Sequence, residues 1–191
     1  MKTNISGGYL LNIDWDEFKV KGAKSMMFFD KTGLLIGLNN EPFLLVAGTD
    51  FDTSNLSDEI LKQFTHIKIF LLRPPLSLGN KQPDQYYLIP GWLKELHALE
   101  YLRMNHFEID DLQFLQKTSI KHLIISNANV KDKKKLADEI TKLKYLQYLV
   151  CDSIFSAQEI TEIQSTLPKT IILIESEYNN KIKSGEIVFP H

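Results

Sequence analysis

His66, His97, His106, His122 and His191 are the histidines of this 191-residue chain, and none falls in H-E-x-x-H or another metal-ligand spacing. The run Asp50-Phe-Asp52-Thr-Ser54-Asn-Leu56-Ser-Asp58 begins like a calcium loop, with oxygen ligands at alternate positions. It then places Asn55 where the loop needs Gly and Leu61 where it needs a bidentate Glu, so turn and helix-capping chemistry accounts for it better. Asp110-Asp111 opens a segment in which acidic residues favour a helix start, and capping is preferred to acid-base work. His122, with Tyr101 and Tyr148 at related positions, outlines a small polar site with no carboxylate placed beside it, Asp152 being the best distant candidate. No nucleophile stands beside it. The phosphate-cradling G-x-x-x-x-G-K-[ST], the dinucleotide G-x-G-x-x-G and the nucleophile elbow G-x-S-x-G are all missing from the sequence. No catalytic residue, metal or cofactor is expected.

Composition points the same way. With 43% hydrophobic residues the chain can bury a substantial core in one domain. A net charge of -2 and a pI near 6.2 make no broad basic field, so neither nucleic acid nor an anionic membrane is the expected partner. The lone cysteine, Cys151, excludes an intrachain disulfide and a cysteine-based zinc cluster. It sits where a core residue is expected and reads as a small buried hydrophobe. The start, Met1-Lys-Thr-Asn-Ile-Ser-Gly-Gly, has no apolar region behind it, and no segment has the length of a bilayer span. A cytoplasmic protein is the expectation.

The elements that must position these residues come from a ladder in residues 90–156. Leu99, Leu102, Met104, Phe107 and Ile109 occupy positions 1, 4, 6, 9 and 11 of a unit; Ile120, Leu123, Ile125, Ala128 and Val130 repeat it 21 residues on, and Leu146, Leu149, Cys151 and Ile154 again. This pattern resembles the leucine-rich repeat, L-x-x-L-x-L-x-x-N-x-L with a period of 20–29. The resemblance implies an α/β solenoid, with a parallel sheet on the concave face and short helices and loops on the convex one. Six repeat starts, Leu45, Ile67, Leu102, Leu123, Leu149 and Ile171, have spacings of 22, 35, 21, 26 and 22. The long interval contains Arg73-Pro-Pro75 and Gly79-Asn-Lys-Gln-Pro83, an insertion over 73–87. Position 9 holds Phe107, Ala128 and Ile154 in place of the family's Asn, so the turns after the strands must be satisfied otherwise.

Around the ladder, Met26-Met-Phe-Phe29 and Leu34-Leu-Ile36 flank turn residues and predict a hairpin. Residues 1–41 are assigned as an N-terminal cap, since a bare first coil would leave apolar surface and strand edge groups open. The solenoid is assigned to 42–178 and a C-terminal capping tail to 179–191, punctuated by Asn179-Asn180 and Ser184-Gly185. Short helices are predicted from Ser57, from Asp132 with a solvated lysine face, and from the capping box Ser156-Ala-Gln-Glu159.

Side chains alternate along a strand, so positions 4 and 6 should point into the core and positions 3, 5 and 7 outward. That places an aromatic column of Tyr101, His122 and Tyr148 beside an apolar stripe of Ile124, Val150 and Ile172, with Arg103 at its head and Asp152 next to it. Exposed aliphatics with Tyr and Arg mark an interface. These eight residues are the expected partner-binding face of a non-enzymatic protein-protein interaction module. For a small protein of this family the resemblance implies an adaptor or a toxin-neutralising immunity protein. Two alternatives stand beside it: a small-ligand or enzymatic site made by the 73–87 insertion with His122, and a structural module whose stripe makes a homodimer.

Overall fold

The computed structural model describes residues 23–29, 33–38, 41–48, 69–73, 86–89 and 91–187. The calcium-like loop, the helix expected from Ser57, most of the 73–87 insertion, His66 and His191 lie outside the described residues. In chain order the strands are β1 (Ala23–Phe29), β2 (Gly33–Leu38), β3 (Glu41–Gly48), β4 (Ile69–Arg73), β5 (Tyr87–Leu88), β6 (Tyr101–Asn105), β7 (Phe107–Ile109), β8 (His122–Ser126), β9 (Asn129–Val130), β10 (Tyr148–Cys151) and β11 (Ile171–Leu173). The helices are α1 (Lys133–Ile140), α2 (Ala157–Thr166) and α3 (Glu175–Ser184), with 3-10 turns at Gly91–Glu95 and Gln113–Lys117.

The expected hairpin is present: β1 and β2 pair antiparallel, and β2 pairs antiparallel with β3. From β3 onward every pairing is parallel, giving one sheet in the order β1-β2-β3-β4-β6-β8-β10-β11. A second parallel sheet, β5-β7-β9, runs beside it. Sequential parallel strands joined by short helical returns define a mixed α/β, repeat-type architecture.

The central register is the one the ladder predicts, with Leu102 opposite Leu123 and Leu123 opposite Leu149. These leucines belong to one buried core with Met104, Ile125 and Cys151, and the residues facing them are Phe114, Leu115, Leu136, Ile140 and Ile163 from the returning turns and helices. Each such leucine stabilises the fold by about 1.5–3 kcal/mol relative to exposure. Two outer starts differ from expectation. Phe70, not Ile67, stands opposite Leu45 and Leu102. Ile172, not Ile171, stands opposite Leu149, and a one-residue slip exchanges the faces. Ile172 therefore packs against the core and is not part of an outward stripe.

The turns after the strands use a device the ladder does not show. His106, Asn127 and Ser153, one at the equivalent place in each central repeat, have φ of 71°, 47° and 54°. This left-handed conformation turns the chain out of the large sheet, and after β6 and β8 it leads into β7 and β9. Asn127 Nδ2 donates to Asn105 Oδ1 at 3.1 Å, and the His106 amide donates to the Ser126 carbonyl at 3.1 Å, so neighbouring turns hold each other. One backbone pair of these turns, the His106 amide and the Ser126 carbonyl, is satisfied this way.

On the returning side the helix starts follow the sequence. The Lys135 amide donates to Asp132 Oδ1 at 2.9 Å, and the Ser156 amide to Glu159 Oε2 at 2.7 Å, the reciprocal box being complete. Lys131, Lys133, Lys134 and Lys135 are exposed, as expected of a solvated face. Asp111 accepts from the Gln113 amide at 2.7 Å, which is capping chemistry, while Asp110 pairs with Lys131.

Candidate functional site

Strand alternation places Tyr101, Arg103, His122, Ile124, Tyr148, Val150 and Asp152 together on the face of the sheet opposite the core. Tyr101, Ile124 and Val150 are buried yet stand apart from the leucine core, which holds their neighbours Leu102, Leu123, Ile125 and Leu149. The expectation that this face is open to water is corrected: Ile124 and Val150 are each 0% exposed within the chain.

The cover is α3. After β11 the chain folds back across the sheet, and Tyr178, itself 0% exposed, enters the aromatic column. Its hydroxyl is hydrogen-bonded to His122 Nδ1 at 2.7 Å. Its ring meets those of His122 and Tyr148 edge-on, with centroids 6.0 and 6.1 Å away, and His122 packs between Tyr101 and Tyr148 at 5.8 and 4.8 Å. Edge-to-face geometry at these distances is the favourable one for aromatic pairs.

At its N-terminus the helix is held by three consecutive strands. Arg103 on β6 pairs with Glu175 Oε1, and Ser126 on β8 donates to Glu175 Oε2 at 2.6 Å. Asp152, in the turn just after β10, accepts from the Glu175 amide at 2.8 Å. An acidic group at that end meets both an unsatisfied amide and the positive end of the helix dipole. Ile174, the residue at the cap position, supplies no side-chain bond of its own. Because Tyr178 reaches row 3 of the strands and Glu175 reaches row 7, row 5 lies between, which is where Ile124 and Val150 sit. At the other end Gly185 (φ 80°) stops the helix, the Ile187 amide donates to the Lys181 carbonyl at 3.1 Å, and Ile187 is buried.

Burial, with Lys121 adding to it, lowers the His122 pKa from 6.5 to about 4, so the imidazole is neutral at pH 7. Burial raises the Tyr178 hydroxyl above its ordinary range, against a smaller opposing effect of Arg103. Burial also pushes the Cys151 thiol up to about 12, with Asp152 contributing. A neutral imidazole beside a protonated phenol is a hydrogen-bonding pair, and Asp152, expected as its carboxylate, is occupied with α3 instead. His106 lies apart in its turn, stacked on Tyr86 at 4.9 Å. Among the described residues no three His, Cys, Asp or Glu side chains are grouped to hold a metal, and no helix is long and apolar enough to cross a membrane.

Sequence reasoning thus assembled seven of the face residues and missed Glu175, Tyr178 and the role of Ser126. The signal was legible in 175–185: Glu175 and Glu177 in a first turn, Lys181 and Lys183 in a last, Gly185 as a stop, and Tyr178 with Ile182 on one face.

The fold and face define a repeat-type α/β protein whose sheet carries a helix on its outward side. No family model matches the chain, and no curated protein matches it. Among solved structures, a leucine-rich-repeat protein of Leptospira interrogans aligns with a TM-score of 0.43 and 25% identity, over 60% of this chain and 27% of that one.

Proposed function

We propose that this chain is a non-enzymatic protein-binding module of leucine-rich-repeat type, and that the outward face of β6, β8 and β10 is its recognition surface. The observation that carries the reading is what the face already does. It seats an amphipathic helix through one buried aromatic anchor, Tyr178, one carboxylate held by Arg103 and Ser126, and one backbone amide taken by Asp152. Aromatic and Arg anchors around an aliphatic floor are the composition of an interface centre. The in-period leucines and the parallel register support the repeat type.

The test is affinity capture from native-host lysate with the tagged full chain, read by mass spectrometry, alongside Arg103→Glu and Tyr148→Ala. Both side chains lie on the face and are less buried than Ile124, so the fold is expected to persist. A partner retained by the wild type and lost by both variants supports the reading. A partner retained equally by all three overturns the assignment to this face.

A further inference from the structure

The helix on the recognition face is a poor permanent component of the fold. Among its ten residues only Tyr178 is fully buried, and Ser176, Glu177, Asn180, Lys183 and Ser184 face solvent. Its length is below that at which an isolated helix is stable in water, and it borrows its N-terminal acceptor from Asp152. Detached, it would unfold. The groove beneath does not depend on it in the same way, because Arg103 and Ser126 stand on strands held by the ladder and the leucine core, and Asp152 directly follows one. The fit is also incomplete: Asn179 Oδ1 is buried without a hydrogen-bond partner among the described residues, a cost that a different occupant can avoid.

We propose that α3 is an exchangeable, tethered occupant of a helix-receiving groove, and that the partner is a protein whose helix presents the same acid-x-x-aromatic pair as Glu175 and Tyr178. This rests on the protein-binding reading above and adds to it the chemistry of the ligand and the way the groove is kept closed. The carboxylate end is selected by Arg103 and Ser126, and the aromatic by the rings of His122 and Tyr148, which Tyr178 meets edge-on. Only Ile174 separates α3 from β11, so the tether keeps the helix at an effective concentration on the order of millimolar. A partner at micromolar concentration must therefore outbind α3 by about a thousandfold, through a longer helix or further contacts.

The test uses a fluorescein-labelled synthetic peptide of residues 174–187 as the probe, added to the full chain. The wild type should bind it weakly, and Tyr178→Ala, which weakens the tethered competitor, should bind it at least about tenfold more tightly. Adding Arg103→Ala to Tyr178→Ala should remove that gain, and a peptide with Ala in place of its tyrosine should not bind. No gain in a Tyr178→Ala chain that still unfolds cooperatively in urea overturns the proposal. Hydrogen exchange on the wild type decides independently of any variant: amides of 175–184 should exchange about a hundredfold faster than those of 122–126 and 148–151. Equal protection means the helix leaves only when the whole fold opens, and the proposal falls. A concentration-dependent dimer of the wild type that exchanges α3 between copies would make the occupant a second copy and overturn the separate partner. Each of these failures leaves the capture experiment free to succeed, since a partner lost by both Arg103→Glu and Tyr148→Ala would still mark this face as the recognition surface.

Discussion

Tyr178 and His122, 56 residues apart in sequence, meet at 2.7 Å between hydroxyl and Nδ1, and through that contact the last helix is tied to the middle of the sheet. Removing the hydroxyl while keeping the ring takes away this bond together with the one Tyr178 shares with Tyr101. Tyr178→Phe should therefore cost about 1–3 kcal/mol, the loss expected when a buried polar partner is removed. Tyr178→Ala loses the ring as well and should cost about 3–5 kcal/mol. Urea unfolding followed by circular dichroism separates the two, with the Ala variant the less stable.

The burial of His122, with Lys121 adding to it, makes stability depend on pH. His122 is lowered from 6.5 to about 4 in the fold, so between these values the unfolded chain binds the extra proton. Its contribution is complete above about pH 6.5, declines as pH falls through the window, and levels off below about 4, a total of about 3 kcal/mol. Urea midpoints at pH 7 and 4.5 should fall further apart in the wild type than in His122→Gln, the carboxylates common to both cancelling.

Arg103 and Glu175 form a partly buried charged pair at the helix N-terminus. A double-mutant cycle of Arg103→Ala and Glu175→Gln should give a coupling of about 1.5–3 kcal/mol, the range of a hydrogen bond to a charged group. Additive single-variant losses would mean that each side chain is held by its other neighbours instead.

Cys151 is buried and its pKa is pushed up to about 12, so almost no thiolate exists near neutrality. Alkylation with iodoacetamide at pH 8 should be negligible in the native protein and rapid in urea.

The central repeats were legible because Leu102, Leu123 and Leu149 recur with polar residues between them, and a leucine on period cannot be moved without losing its neighbours. The outer ones were not. Ile171-Ile172-Leu173-Ile174 is apolar without a break, so nothing in it marks one face from the other, and the register slipped by one residue. Phe70 was missed by three because Ile67 and Ile69 alternate as plausibly as Phe70 and Leu72 do. The covered face was the larger omission, and its trace was present. His122-Leu123-Ile124-Ile125 and Tyr148-Leu149-Val150-Cys151 are near-continuous apolar runs, the pattern of parallel strands buried on both sides. An open concave face would alternate. The left-handed residues escaped notice because none of His106, Asn127 and Ser153 is a glycine, and the three share no residue type that would mark the position as a repeat feature.

That a helix of this chain lies on the outward face of its sheet is the claim on which the rest depends, and proton NMR reads it directly. Nuclear Overhauser effects between the ring protons of Tyr178 and those of His122 and Tyr148 should appear at pH 7, with helical shifts over 175–184. Random-coil shifts in that segment with no ring-to-ring effects would contradict it.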